Sequence, residues 1–145
     1  MSTKSSNSEI GSSTIAAYRS AHYVVLADNQ FTLRVGEIST ELTELLSRKN
    51  VSCAAFITAC NPFSNISTEN ENLTAQSALL NDLLELRLNI IPGVGKDPDG
   101  LWPGEQSFLA LGISLEQATV LGNKYGQNAI IWIDFDLMPS LVLLQ

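Results

Sequence analysis

Histidine occurs once, at His22, and cysteine only at Cys53 and Cys60. A single histidine excludes any mechanism that needs two, and a Ser-His-Asp or Cys-His set would have to bring His22 beside Ser64 or Cys60, which no spacing supports. His22 therefore reads as an ordinary half-buried or surface side chain near the first strand. Two cysteines and one distant histidine also make a poor zinc set. Cys53 and Cys60 lie in one β-prone run at an odd separation, so a regular strand would project them to opposite faces and keep them from forming a disulfide. Buried thiols in a reducing compartment are expected, with a reactive Cys60 beside the Asn-Pro turn as the alternative. No metal and no cofactor is implied.

Charge is scarce as well, at 16% of residues, and basic charge scarcest: 8 Lys and Arg stand against 15 Asp and Glu, a formal net charge of −7. Such an acidic surface repels phosphate backbones and anionic lipid, so nucleic acid is an unlikely partner. A membrane span needs roughly 18 to 20 uninterrupted apolar residues. Residues 129–144 come nearest and are broken by Asp134, Asp136 and Pro139, so a soluble chain without membrane association is expected. The Ser-rich residues 1–14 lack the apolar core of an export signal and read as a disordered tail, which favours the cytoplasm. The Asn-x-Ser/Thr sequons at Asn50, Asn65 and Asn72 carry weight only in an exported chain.

Apolar residues, by contrast, are plentiful: 45% of 145, enough for one domain over residues 15–145. The β-prone runs 23–27 and 31–35 flank Asp28-Asn29-Gln30 and predict a hairpin. Ser39 or Thr40 caps a helix whose Leu42, Leu45 and Leu46 share one face, with Asn50 as its stop. The nearly continuous apolar run 54–59, ended by Asn61-Pro62, suits a central strand covered on both faces. Thr68-x-x-Glu71 is a capping box opening a second helix with Leu80, Leu83 and Leu84 on its stripe, reaching about Leu88. Ile90-Ile91 returns to strand, and residues 92–100, dense in Gly, Pro and Asp, are expected to be turns or loop. Strand character resumes at residues 107–111. Ser114-x-x-Gln117 then caps a third helix with Leu115, Ala118, Leu121 and Tyr125 inward and Gly126 at its C-terminal cap. Residues 129–133 form the last clear strand. The order β-β-α-β-α-β-β-α-β predicts a single-domain α/β layered sandwich around a mixed β-sheet with about three helices.

Several short motifs fall in one order along the chain: Ala59-Cys60-Asn61-Pro62-Phe63-Ser64, Ser67-x-Glu69-Asn70, Pro92-Gly93-x-Gly95 with Asp97-Pro98, Glu105-x-Ser107-Phe108-Leu109, Leu111-Gly112-Ile113-Ser114, and Tyr125-Gly126-Gln127-Asn128-Ala129. Over roughly residues 18–132 this series resembles the bacterial family catalogued as domain of unknown function 3293. The resemblance implies a small bacterial or phage-borne protein, with no activity, cofactor or substrate to carry over. Residues before Ile15 and after Ile133 lie outside the shared pattern.

Gly93-Val94-Gly95-Lys96 lacks the spacing and the following Ser or Thr of a phosphate loop, and Asp97-Pro98 works against one. Asp97 and Asp99 lack the further oxygen ligands and closing Glu of a calcium loop. Glu69 and Glu105 are the carboxylates of interest, each beside a polar cluster at the edge of a predicted element; a pair could divide acid and base roles if their pKa values were pushed apart. Alternatively Glu69 serves a helix N-terminus and Glu105 accepts hydrogen bonds in a loop. Asn61, Ser64, Asn70, Gln127 and Asn128 form an uncharged set at element ends, fit for a ligand's polar edge or for the loops' own backbone. Trp102 is the large aromatic in the Gly/Pro loop, placed to act as a lid, a partner contact or a core plug. Three readings follow. The first is a non-catalytic binding or regulatory module for a protein or small polar ligand, using these residues. The second is a small hydrolase with Glu69 or Glu105 as general acid or base and Asn61 and Gln127 orienting substrate. The third is a structural homodimer formed through an exposed β-edge.

Overall fold

Ser39 accepts a hydrogen bond from the Leu42 backbone N–H, Thr68 and Ser114 each close a reciprocal capping box, and three helices start where the sequence signals them. The computed structural model describes residues 10–100 and 103–144. The elements in chain order are α1 (Ser12–Ser20), β1 (His22–Val25), β2 (Phe31–Leu33), α2 (Thr40–Arg48), β3 (Ala54–Ile57), α3 (Glu69–Glu85), β4 (Asn89–Lys96), β5 (Glu105–Leu111), α4 (Leu115–Lys124), β6 (Ala129–Ile133) and β7 (Ser140–Leu143), with a 3-10 turn at Pro62–Ser64. The expected β1–β2 hairpin forms, with Val24 opposite Thr32. Asn50 stops α2 with a left-handed backbone, φ 56°, and Gly126 does the same after α4 at φ 67°.

The sheet runs β2-β1-β4-β5-β3-β6-β7, and every neighbouring pair is antiparallel. The expected mixed sheet is corrected on this point. Helices do join β3 to β4 and β5 to β6, but each joined pair is separated by a strand running the other way. The unit β3-α3-β4-β5-α4-β6, ordered β4-β5-β3-β6 in space, is the ferredoxin-like split βαβ arrangement. The β1–β2 hairpin widens it at the β4 edge and β7 at the β6 edge.

Strand pleat then sorts the side chains. Ala55, Ile57, Ala110, Ile130 and Trp132 point to one face, where Leu79 and Leu83 of α3 and Ala118 and Leu121 of α4 cover them. Tyr23, Val25, Phe56, Leu109, Leu111, Ile131 and Ile133 point to the other, where Leu42, Leu45 and Leu46 of α2 cover one end. α3 and α4 are joined at the surface by Asp82, which accepts from Lys124 Nζ at 2.7 Å and from the Tyr125 hydroxyl at 2.5 Å. Among the described residues, no helix is long and apolar enough to cross a membrane.

Several local expectations are also corrected. A fourth helix, α1, begins inside the stretch expected to be tail and buries no residue of its own. On α3 the inward stripe is Gln76, Leu79 and Leu83, with Leu84 52% exposed, because the helix is rotated by Gln76 bonding to the sheet end. Leu115, expected inward on α4, is exposed. Residues 92–96 are strand, since β1 and β5 pair with them from both sides and this outweighs the turn-like composition. Gly93 is required there by close approach: a Cβ would stand 2.6 Å from the Phe56 ring and 2.7 Å from the Val24 carbonyl oxygen. Finally, β7 pairs along β6 from Ala129 to Trp132, a strand the broken apolar C-terminus did not announce.

Candidate functional site

α2 covers only one end of its face of the sheet. At the other end the face bears Tyr23 from β1, Gly95 from β4, Glu105 and Ser107 from β5, Phe56 from β3, Ile131 from β6 and Leu141 from β7, and these surround a cavity of about 290 Å³. α1 closes it from above with Ser13, Thr14, Ala17 and Tyr18, and the turn after β3 closes its side with Asn61, Ser64 and Ile66. The pleat explains the grouping: Gly95 lies opposite Tyr23 on one side and Glu105 on the other, so all three face one way. Gly95 adds no side chain, and the space it leaves is bounded by the Tyr23 ring. Tyr23 and Phe56 meet edge to face, ring centroids 5.3 Å apart at 69°.

Glu105 is the carboxylate of the wall. Its Oε2 accepts from Asn61 Nδ2 at 2.7 Å, and burial pushes its pKa above the ordinary glutamate range, opposed in part by that hydrogen bond. Asn61 cannot turn its amide round. Its Oδ1 accepts from the Ser67 backbone N–H and from Asn72 Nδ2, each at 3.0 Å, so Nδ2 is left for Glu105. The Asn61 backbone, left-handed at φ 48°, donates in turn to Asn72 Oδ1 at 2.9 Å. Asparagine tolerates that conformation better than most residues. A fixed amide thus fixes a carboxylate.

The remaining polar atoms of the floor are tied to the protein. The Tyr23 hydroxyl donates to the Tyr18 carbonyl at 2.6 Å, and burial, with the Tyr18 and Glu105 charges adding, raises its pKa. Thr58 Oγ1 donates to the Gln106 carbonyl at 2.6 Å and Ser107 Oγ to the Glu105 carbonyl at 3.0 Å. Gln127 Nε2 donates to the carbonyls of Cys60 and Tyr125. At the mouth, Asn128 Nδ2 donates to Ser64 Oγ at 2.9 Å and to the Tyr18 hydroxyl at 3.3 Å, and those two hydroxyls bond to each other at 2.8 Å. This triad latches α1 to the turn and to the residue that precedes β6.

Of the residues singled out in the sequence, Asn61, Ser64, Glu105 and Gln127 therefore meet at the cavity, with Asn128 at its rim. Glu69 and Asn70 do not: both are exposed in the first turn of α3 and contribute nothing to the wall. Trp102 lies outside the described residues. Tyr18, Tyr23, Phe56, Thr58 and Ser107 were missed, because their convergence depends on strand order. The one signal for them is that 105 and 107 alternate in step. Both thiols are free; burial raises the Cys60 pKa against a hydrogen bond from Thr58, and burial raises that of Cys53. Such thiols are poor nucleophiles. Among the described residues, no group of three His, Cys, Asp or Glu could hold a metal ion.

The family described as protein of unknown function (DUF3293) matches residues 57–130, slightly more than half of the chain. The chain belongs to the DUF3293 family. The matched stretch runs from the last residue of β3 to the second of β6, so it holds most of the split βαβ core and Asn61, Ser64, Glu105 and Gln127 with it. It is narrower than the span 18–132 over which the resemblance was read. In this DUF3293 chain α1, the β1–β2 hairpin, α2 and β7 lie outside the match, yet they supply Tyr18, Tyr23 and Leu141 to the cavity. No curated protein and no solved structure matches the chain.

Proposed function

We propose that this protein is a non-catalytic binding module for a small ligand held between α1 and the sheet. The carrying observation is a part-buried carboxylate, oriented by a locked asparagine, at the floor of a cavity otherwise walled mainly by Phe56, Ile131, Leu141 and tyrosine rings. A mostly apolar concavity with one well-placed polar group is the usual form of a small-molecule site. Acid–base hydrolysis by Glu69 and Glu105 gains no support, because the described residues of the wall provide one carboxylate and no activated nucleophile beside it.

The test is a fragment screen on the full chain, read through backbone amide shifts. Fragments of the right class are expected to move the amides of Phe56, Gly95, Ser107 and Gln127 together. Gly95→Val should abolish that response and keep the fold, since a Cβ at this position meets only the Tyr23 ring at 3.9 Å while a longer side chain enters the cavity. A screen in which no fragment moves this cluster, or in which Gly95→Val responds like the parent, refutes the reading.

A further inference from the structure

The donors on the floor of the cavity are spent. Tyr23, Thr58, Ser107, Gln127 and Asn61 all donate to atoms of the protein itself. Glu105 is in the opposite position. One carboxylate oxygen accepts from Asn61, and the other has no hydrogen-bond partner among the described residues. No Lys, Arg or His stands among the described residues of the wall, so the carboxylate has no counter-charge there. The aromatic side chains of Tyr18, Tyr23 and Phe56 bound the same space. The floor therefore offers an anionic acceptor and aromatic rings with its own donors engaged, and the hydroxyls of Ser13 and Thr14 line the opposite side, on α1.

We infer that the cavity takes a compact organic amine, bound as its ammonium against the free oxygen of Glu105 with its apolar body among Phe56, Tyr23, Ile131 and Leu141. This rests on the binding-module reading and names the ligand class for it. An ammonium supplies a donor to the free oxygen of Glu105 together with the positive charge that the described wall lacks, and a charge-assisted hydrogen bond in a part-buried site is stronger than a neutral one. The aromatic faces favour a cation further when water is excluded. A carboxylate or phosphate ligand would meet Glu105 with nothing to neutralise it. The upward displacement of the Glu105 pKa by burial fits the same picture, because an arriving ammonium relieves it.

The experiment compares three probes of one apolar body, 2-phenylethylamine, 2-phenylethanol and 3-phenylpropanoate, by calorimetry and amide shifts on the full chain at neutral pH. The amine is expected to bind about tenfold or more tightly than the other two, and Glu105→Gln to remove about that factor from the amine while leaving the alcohol unchanged. If the alcohol or the carboxylate binds as well as the amine, or Glu105→Gln leaves the amine's affinity unaltered, the amine assignment fails and the binding module stands. If none of the three binds, the amine assignment also fails; whether the module fails with it is decided by the fragment screen and Gly95→Val.

Discussion

Glu105 is held in the folded chain in a setting that disfavours its charge. Its folded pKa lies above the unfolded value, so between the two the folded state binds more protons, and stability falls as pH rises through that window. The contribution is fully present below the ordinary glutamate pKa and is lost above the raised one. Glu105→Gln keeps an acceptor for Asn61 Nδ2 and removes the ionisation. Its melting temperature should exceed that of the parent at pH 7, with the gap closing as pH is lowered toward 4, as thermal denaturation at several pH values would show. An unchanged gap across that range would mean that burial of the carboxylate has no energetic weight.

At the scale of elements, β4 shows how pairing overrides composition. Pro92-Gly93-Val94-Gly95 reads as a turn, yet it is hydrogen-bonded into the sheet between β1 and β5. Gly93 makes room for the Phe56 ring and Gly95 makes room for the cavity, so the two glycines answer to different demands. Gly93→Ala should destabilise the fold by about 1–3 kcal/mol, the usual range for overpacking, as measured by urea denaturation. The helix starts and the core leucines of α2 were legible in the sequence because caps and i, i+3, i+4 spacing are local. The rotation of α3 was not, since Gln76 is drawn inward by the Ala59 backbone N–H at 2.9 Å, a contact made across 17 positions of sequence.

For the molecule as a whole, closure of the cavity depends on pieces at both ends of the chain. β7 shields the outer edge of β6 and carries Leu141 into the wall, and Leu144 packs over Gly122 of α4. Removing residues 140–145 leaves β6, with its apolar Ile130 and Trp132, unpaired along its outer edge, a template for association. Such a chain should bind a hydrophobic dye strongly and sediment as aggregates; an undisturbed monomer with an unchanged spectrum would show that β7 is dispensable. The family match ends within β6, so this test also separates what the shared core supplies from what the additions supply.

The sequence by itself determined the helix caps, the first hairpin, the doubly covered strand β3, the acidic surface and a short set of polar residues at element ends. Each of these follows from interactions within a few positions or from composition alone. The tertiary structure decided that the sheet is antiparallel, that β5 inserts between β3 and β4, and that Glu105 but not Glu69 faces the cavity. Glu69 and Glu105 stand beside similar polar neighbours in the sequence. What parts them is strand register: pairing opposite Gly95 aims position 105 onto one face of the sheet, where α1 and the Asn61 turn enclose it.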